Sequence, residues 1–308
     1  MIIALTGATG FLGGAVLERL VENGHAVRAL ARRPQPERAG VAWVGGDLAN
    51  PAALAALVAG ADAVIHVAGA INAPDRAAFA AANAEGARLL AERARASGAT
   101  RFILVSSLSA REPQLSDYGW SKREGERLVA QVPGLDWTIV RPPAIYGPGD
   151  REMLEMFRMA RSGVVLLPPK GRLSIIHVAD LARLLVALAE DGSGIGGGRT
   201  YEVDDGTPGG FSHHAFAAAL GQAMGRRATG LSLPPAVMMA AARIDRLVRR
   251  GGAKLTPDRV RYFCHPDWVV DPALAVPPAL WQPNIMARDG LKATAAAYIA
   301  KGWLKPPR

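Results

Sequence analysis

The sequence predicts an α/β protein with a doubly wound parallel sheet and helices on both of its faces. Short apolar, β-branched runs alternate with alanine-rich stretches of helical period through the first half of the chain, and this alternation is typical of a parallel sheet. A glycine cluster follows the first run, where such sheets turn into a helix. After Arg141 the spacing of prolines and glycines changes. We therefore expect a sheet domain over residues 1–141 and a smaller C-terminal α/β substrate-binding lobe over 142–308, with the chain returning to the sheet near 173–205.

Each predicted strand is apolar enough to be buried on both faces. The strands are Ile2–Thr6, Ala26–Ala31, Ala42–Val44, Ala63–Val67, Phe102–Ser106 and Trp137–Arg141. The helices are Phe11–Glu22, a short one opened by Asn50 and Pro51, Arg76–Ala96, Asp117–Gln131, Arg151–Arg161, Val178–Glu190, Ser212–Met224, Pro234–Arg250 and Met286–Ala300. Asparagine as N-cap with proline at the first helical position is a strong start signal. The glycine-rich stretch Gly192–Gly198 predicts a loop.

Composition excludes several classes of protein. The chain has 308 residues, a net charge of +9 and one cysteine, so it has no internal disulfide and no multi-thiolate metal site. It shows neither a secretory signal nor an uninterrupted apolar stretch of membrane-spanning length, and we expect a cytoplasmic protein. The cations are scattered and aromatic residues are few, which argues against nucleic-acid binding.

The glycine loop reads Gly7-Ala8-Thr9-Gly10-Phe11-Leu12-Gly13 and joins the first predicted strand to the first predicted helix. Glycines there let the backbone approach a pyrophosphate, whose charge is met by the N–H groups at the helix N-terminus. The spacing differs from the commoner G-x-G-x-x-G, and a plain strand-to-helix turn is the alternative. With a strand before it and a helix after it, the loop favours a Rossmann dinucleotide site.

The end of the second predicted strand indicates which dinucleotide is bound. An acidic residue there would bind the ribose hydroxyls of NAD, but Ala31 occupies that position and Arg32 and Arg33 follow it. Guanidinium groups pair well with a 2′-phosphate. We therefore predict NADP(H), with Arg32 ahead of Arg33; the alternative is a solvated basic turn.

A serine, a tyrosine and a lysine predict the catalytic site. Ser107 follows the fifth predicted strand, and Tyr118 and Lys122 lie four apart at the start of the next helix, on one face. An ammonium group beside a phenol favours the phenolate and would lower its pKa from about 10 toward neutrality. Such a phenol can exchange a proton with a carbonyl or alcohol oxygen that a serine hydroxyl also contacts.

Several segments in order along the chain carry a family resemblance. They are the glycine loop, Asp47-Leu48, His66-Val67-Ala68-Gly69, Asn83, Val105-Ser106-Ser107, Tyr118 to Lys122, and Arg141-Pro142-Pro143 through Gly149. The sequence resembles the extended or atypical short-chain dehydrogenase/reductases, a group that includes NAD-dependent epimerase/dehydratases and 3β-hydroxysteroid-dehydrogenase-like proteins. The likeness runs from residue 1 to about 190 and is weaker beyond.

By that resemblance Tyr118 is the catalytic acid/base, Lys122 holds the nicotinamide ribose and tunes Tyr118, and Ser107 orients the substrate oxygen. Ser106 and Ser109 are fallback choices for that serine, because neighbouring strand residues point to opposite faces. The cofactor-binding residues implied are Gly7, Thr9, Gly10, Phe11, Leu12, Gly13, Arg32, Arg33, Asp47, Leu48, Ala68, Gly69, Asn83, Tyr118, Lys122 and Pro142.

Several histidine, aspartate, cysteine and methionine residues outside these motifs are further candidates for a functional role. His177 and Asp180 match a family segment near the substrate domain, although an aspartate at a helix start often stabilises only the helix. Cys264 has no second thiol and no paired base, which favours an inert thiol. His213 and His214 are adjacent, which is poor geometry for one metal, so we predict no metal site. Methionines at 153, 156 and 159 favour packing over a pocket lining.

The predicted helix over residues 234–250 is apolar first and basic at its end. Arg243, Arg246, Arg249 and Arg250 would meet anionic lipid if Val237, Met238 and Leu247 inserted into a membrane surface. A surface helix covering a substrate pocket would have the same pattern.

The function these observations favour is an NADP(H)-dependent oxidoreductase that transfers hydride between nicotinamide and a carbonyl or secondary alcohol of a small organic substrate. An epimerase or dehydratase with a transient ketone is one alternative. Another is a non-catalytic NADP(H)-binding scaffold similar to the accessory subunit of respiratory complex I, which would have no need of the intact Ser107, Tyr118 and Lys122. Ser107 precedes Tyr118 by only 11 residues; by the family resemblance this spacing is shorter than in the sugar epimerases, which argues against a nucleotide-sugar substrate.

Overall fold

The computed structural model describes residues 1–249 and 255–306, and the chain forms two compact units. The first unit contains residues 1–142, 181–203 and 272–282, and the second contains residues 143–180, 204–271 and 283–308. The first unit is therefore not one continuous segment, because two stretches beyond residue 142 return to it.

A seven-stranded parallel sheet organises the first unit, as the sequence predicts for this fold class. Its strands are β1 Ile2–Thr6, β2 Ala26–Ala31, β3 Val41–Gly45, β4 Ala63–His66, β5 Arg101–Val105, β6 Trp137–Arg141 and β11 Arg199–Glu202. Their order is β11-β6-β5-β4-β1-β2-β3, and every pairing is parallel. The six strands predicted from sequence agree to within one residue at each end. The seventh, β11, lacks the long apolar run that marks the others.

The direction of winding reverses between β1 and β4. Strand β1 pairs with β2 on one side and with β4 on the other, so the loops after β1 and β4 diverge at the carboxyl edge. In open α/β sheets this crevice is where a ligand binds. The glycine loop follows β1, and residues 67–70 follow β4.

Helices cover the sheet on both faces. In chain order they are α1 Phe11–Glu22, α2 Pro51–Val58, α3 Arg76–Ala80, α4 Gly86–Ser97, α5 Asp117–Ala130 and α7 Val178–Glu190, whose residues from 181 belong to the first unit. Helix α2 begins at the predicted N-cap, since the Asn50 side chain accepts hydrogen bonds from Ala52 N and Ala53 N. The single helix predicted over 76–96 contains a π-helical turn, Ala81–Glu85, between α3 and α4. Such turns often occur at functional sites, and this one carries Asn83.

The second unit is a smaller α/β lobe of short strands and helices. Its strands are β7 Ala144–Tyr146, β8 Val164–Leu167, β9 Arg172–Leu173, β10 Ile175–His177, β12 Phe211–Ser212, β13 Thr229–Ser232 and β14 Asp267–Trp268. Its further helices are α6 Leu154–Ser162, α8 His213–Ala223, α9 Pro235–Arg249, α10 Pro257–Phe263 and α11 Ala287–Ala300. Helices α6, α8 and α11 pack on a core that includes Tyr146, Phe157, Phe216 and Tyr298, all nearly inaccessible to solvent.

Helix α9 does not expose all three apolar residues that the membrane alternative would insert. Met238 is buried against a small cluster that contains Val260 and Cys264, because this side of α9 packs on α10. Val237 and Leu247 are exposed, while Arg250 lies outside the described residues. Across the described ranges, no helix has both the length and the apolar character needed to cross a bilayer.

Candidate functional site

The glycine loop forms a close backbone turn between β1 and α1. Gly7 has φ +77°, and a Cβ atom there would lie 2.8 Å from the N atom of Ala68. A Cβ on Gly13 would lie 1.9 Å from the carbonyl oxygen of Gly7, so only glycine fits. Gly10 is the N-cap of α1, and no side chain caps this helix. The first N–H groups of α1 are therefore free of a side-chain acceptor, which suits a phosphate ligand.

A buried polar pair links the ends of β1 and β4. The Thr6 hydroxyl shares a 2.6 Å hydrogen bond with Nδ1 of His66, and it also accepts from Ala68 N at 3.2 Å. Burial, with the charge of Lys122, lowers the pKa of His66 to about 3, so the imidazole is neutral. The pair fixes the start of the loop after β4 beside the glycine loop. Sequence reasoning missed this role of Thr6 and His66, because it depends on a contact sixty residues apart.

Asn83 holds the same loop from the other side. Its side chain accepts from Ala70 N at 2.7 Å and donates to Ala70 O and to the Ser121 hydroxyl, both at 2.9 Å. A Cβ on Gly69 would lie 2.7 Å from Oδ1 of Asn83 and 3.3 Å from Nζ of Lys122. The predicted residues Gly69, Asn83 and Lys122 are thus brought together, and the amide of Asn83 is engaged in holding the loop backbone.

The three predicted catalytic residues also lie together. Helix α5 begins at Ser116, whose hydroxyl accepts from Gly119 N at 3.0 Å, and this start sets the position of Tyr118 in its first turn. The Ser107 side chain lies close enough to the Tyr118 hydroxyl to act on its pKa. One turn later, the Lys122 ammonium donates to the Val105 carbonyl oxygen at 2.9 Å, so the lysine is anchored to the end of β5.

The pKa of Tyr118 is shifted in the direction opposite to the prediction. Desolvation raises the pKa of Tyr118 above its ordinary value, and the Ser107 side chain opposes this rise only in part. Burial lowers the pKa of Lys122 to about 8, despite the opposing charge of Glu126. The prediction that the ammonium lowers the phenol pKa toward neutrality is therefore wrong for the chain by itself, because removal of both groups from water dominates. Tyr118 is a protonated phenol at neutral pH.

The structure distinguishes the three serines that sequence left open. Ser106 is buried and donates to Glu126 Oε1 at 2.6 Å. Ser109 is buried, and its hydroxyl has no hydrogen-bond partner among the described residues. Ser107 is the serine that contacts Tyr118, and its hydroxyl also accepts from Ser109 N at 3.2 Å.

A buried ion pair between Glu126 and Arg141 supports the helix face that carries Lys122. Two atoms of the Arg141 guanidinium, Nε and Nη2, donate to the two carboxylate oxygens of Glu126 at 2.8 and 2.6 Å. Arg141 and Arg111 also contact Glu202 on β11, at 3.5 and 3.3 Å. Because Glu126 lies four residues after Lys122 on α5, this network fixes the face of the helix that carries the site. The repeat of polar residues at 118, 122 and 126 is the signal in the sequence that places Glu126 on the same helix face as the site.

The opposite end of the crevice follows β2. Arg32 and Arg33 are exposed, and within the described ranges neither guanidinium forms an ion pair with a carboxylate. Asp47 accepts from Ala49 N at 3.0 Å, which closes a turn, and Leu48 packs against Gly86. A cleft of about 360 Å³ lies nearby. It is lined by Ala8, Thr9, Gly14, Leu17, Glu18, Gln35, Pro36, Glu37, Arg38 and Trp43.

The remaining candidates have structural contacts. In the second unit, Asp180 accepts from Asn284 N at 2.9 Å and from Ile285 N at 2.8 Å, and His177 accepts from Ala179 N at 3.2 Å. Burial raises the pKa of the Cys264 thiol. Within residues 1–249 and 255–306, no group of three or more His, Cys, Asp or Glu side chains is arranged to hold a metal ion.

Comparison with known proteins gives one family. The profile of the NAD dependent epimerase/dehydratase family matches residues 3–204. A ceramide reductase of Caulobacter vibrioides is 40% identical over 322 residues, covering 98% of this chain and 96% of that protein. A 2-alkyl-3-oxoalkanoate reductase of Stenotrophomonas maltophilia is 29% identical over 337 residues, covering 97% of this chain and 100% of that protein. The structure of the human epimerase family protein SDR39U1 with NADPH superimposes with a TM-score of 0.75 at 21% identity, over 96% of this chain and 99% of that one.

Proposed function

Because the chain belongs to the NAD dependent epimerase/dehydratase family and is an oxidoreductase of the short-chain dehydrogenase/reductase type, we propose that it is an NADP(H)-dependent ketoreductase of a long-chain lipid ketone. The two relatives that match nearly the whole chain are named for reduction of ceramide and of a 2-alkyl-3-oxoalkanoate. Both names state a reduction, one of ceramide and the other of an alkyl-substituted oxoalkanoate. The substrate class we propose is the ketone form of an N-acylated, ceramide-type lipid.

The observation that carries this proposal is the arrangement of Tyr118 and Lys122 one turn apart on α5, with Lys122 anchored to the end of β5 and Ser107 close enough to act on the Tyr118 hydroxyl. Reduction of a ketone requires a proton at the oxygen as hydride reaches the carbon. Desolvation raises the pKa of Tyr118, so this phenol is protonated at neutral pH and is ready to donate. Ser107 would donate a second hydrogen bond to the same oxygen, and the two donors together hold the carbonyl in one orientation.

The bound dinucleotide supplies the hydride, and the chain supplies its binding site. The uncapped N-terminus of α1 and the close approach of Gly7 and Gly13 fit a pyrophosphate. Lys122 lies between the end of β5 and the Gly69 loop, and we assign it to the nicotinamide ribose. The overall conversion is balanced: a ketone, one reduced dinucleotide and one proton give a secondary alcohol and the oxidised dinucleotide.

The choice of NADP(H) over NAD(H) depends on Arg32 and Arg33. Both follow β2 directly, both are exposed, and no acidic residue ends that strand. A guanidinium bound to a 2′-phosphate contributes a charge-assisted hydrogen bond of roughly 1.5–3 kcal/mol. The Arg32→Ala variant should therefore bind NADPH about 10- to 100-fold more weakly while its affinity for NADH is unchanged. Arg33→Ala is the matched comparison, with a smaller expected effect. Equal stabilisation of the wild type by NADPH and NADH in a thermal-shift titration would refute the preference.

The catalytic proposal is tested with Tyr118→Phe, with Tyr262→Phe as the control. Oxidation of NADPH is followed by absorbance and the alcohol product by mass spectrometry, using the ketone form of a ceramide-type lipid in detergent. We expect Tyr118→Phe to lose about 10²- to 10⁴-fold in kcat and to bind NADPH within about twofold of the wild type, whereas Tyr262→Phe keeps full activity.

Four results would contradict the proposal. Retained turnover in Tyr118→Phe would refute the role of the phenol. Turnover of short ketones without turnover of the lipid ketone would refute the substrate class. Conversion of substrate without net NADPH consumption would indicate an epimerase or dehydratase instead. Retained NADPH with no reaction on any carbonyl would indicate a scaffold.

A further inference from the structure

Exposed apolar side chains are concentrated on helix α9. Of the twelve large apolar residues that are exposed in the described ranges, nine lie in the second unit, and four of these are on α9. Leu247 and Val248 are 80% and 74% exposed, and Ile244 is 63% exposed. Single exposed apolar residues are normal on a protein surface, but a cluster indicates an interaction site.

These side chains form one continuous stripe. Exposed apolar residues recur at intervals of three and four along α9, and we call this stripe the outer face of α9. It consists of Val237, Ala240, Ala241, Ile244, Leu247 and Val248. This spacing places them on one side of a helix with 3.6 residues per turn.

Among residues 1–249 and 255–306, no element covers the outer face of α9. The helix is held by its other side, where Met238 and Ala242 are buried against a cluster that contains Val260 of α10. Helix α9 therefore has two apolar sides, of which one packs within the unit and the other is exposed. An exposed apolar face lowers solubility without contributing to the core, and such a face is typical of a surface that a partner covers.

The charge around this face indicates what the partner is. The segment 235–254 contains five cations and one anion, and the cation Arg243 is exposed on α9. The anion, Asp245, accepts a hydrogen bond from Leu255 N at 2.9 Å. The chain as a whole carries a net charge of +9. An apolar stripe beside a cationic helix end is complementary to a surface that is anionic outside and apolar beneath, which is the chemistry of an acidic phospholipid layer.

We propose that the outer face of α9 docks on an anionic phospholipid surface. Ile244, Leu247 and Val248 enter the boundary between headgroups and acyl chains, and the exposed Arg243 contacts the headgroup phosphates. Helix α9 has 15 residues, about 22 Å in length. It lies in the plane of the surface, since it is too short and too charged to span a bilayer. This surface attachment is independent of the proposed reaction and of its substrate.

The proposal is tested by sedimentation with vesicles, in the absence of dinucleotide and lipid ketone. The wild type should bind vesicles of phosphatidylglycerol and phosphatidylcholine at least about tenfold more tightly than vesicles of phosphatidylcholine alone, and about 1 M salt should weaken the binding. The double variant Ile244→Ser/Leu247→Ser should lose at least about tenfold in affinity for the acidic vesicles. Both replaced side chains are exposed, so the melting temperature and the reduction of a short soluble ketone should not change.

A matched control removes apolar surface elsewhere in the same unit. Val164 and Leu166 on β8 are 45% and 48% exposed, and Val164→Ser/Leu166→Ser should bind vesicles within about twofold of the wild type. An equal loss in this control would show that α9 is not the docking element. Equal binding of the wild type to acidic and neutral vesicles would overturn the proposal.

Self-association is measured in parallel by sedimentation velocity without vesicles. If Ile244→Ser/Leu247→Ser dissociates a dimer of the wild type while vesicle binding is absent, the outer face belongs to a second copy of the chain and the proposal is wrong. Because no arm of this experiment uses lipid-ketone turnover, its failure would leave the proposed reaction untouched, and failure of the reaction would leave the docking result standing.

Discussion

Replacement of Lys122 by methionine should remove a pH-dependent destabilisation from the folded protein. The lysine is 8% exposed, and its burial lowers the pKa from 10.5 to about 8. Since the folded pKa lies below the unfolded one, the cost of holding the charged amine is fully present below about pH 8. This cost disappears as the pH rises toward the unfolded value.

The size of the effect follows from the two pKa values. A difference between 10.5 and about 8 corresponds to about 3 kcal/mol of unfolding free energy. Between about pH 7 and about pH 9.5, the titration of the lysine in the folded state recovers about 2 kcal/mol of this. We therefore expect the stability of the wild type, relative to Lys122→Met, to rise by about 2 kcal/mol across that range. Taking the difference between the two proteins removes the contributions of groups that titrate equally in both.

The measurement is urea unfolding of both proteins at four pH values in that range, without dinucleotide, followed by circular dichroism. A stability difference that changes by less than about 0.5 kcal/mol would show that Lys122 keeps an ordinary pKa in the folded state. In that case the electrostatic account of the Tyr118 and Lys122 pair would be wrong. A difference that falls with rising pH would refute the sign of the shift.

Two further substitutions test the glycine loop and the Glu126–Arg141 ion pair. Gly13→Ala puts a Cβ 1.9 Å from Gly7 O, so it should destabilise the protein by about 3 kcal/mol and abolish NADPH binding. The control is Gly14→Ala, whose Cβ would lie 3.7 Å from its nearest neighbour. This control should be nearly neutral in both urea unfolding and NADPH titration. Glu126→Gln breaks a buried ion pair with Arg141 and should lower the free energy of unfolding by about 3–5 kcal/mol, as measured by urea unfolding. A decrease of less than about 1 kcal/mol would show that this ion-pair network does not stabilise the site.

Features that depend on neighbours in sequence were predicted well. Six of the seven strands of the sheet were recognised because each is a short apolar run, and the glycine loop was recognised because its residues are contiguous. Tyr118 and Lys122 share a helix face because they are one turn apart, and the structure retains that arrangement. Local spacing determines all of these, and no distant contact is needed to identify them.

Features that depend on distant contacts were decided only by the tertiary structure. Ser107, rather than Ser106, contacts Tyr118 because the neighbouring serine turns toward Glu126, and strand alternation alone did not say which serine faces which way. The direction of the Tyr118 pKa shift was wrong from sequence because desolvation depends on everything packed around the hydroxyl, whereas spacing reveals only the nearest charge.

The same division applies to α9. Its amphipathic pattern and its cations are visible in the sequence, and they predict a surface helix. Whether Met238 or Ile244 faces solvent is decided by the element that packs against the helix, here α10. A helix that is apolar on two sides has no preferred inward face until a neighbour covers one of them. Local periodicity therefore determined the elements and the motif residues of this protein, and long-range packing determined which side of each element is buried and how its titratable groups are charged.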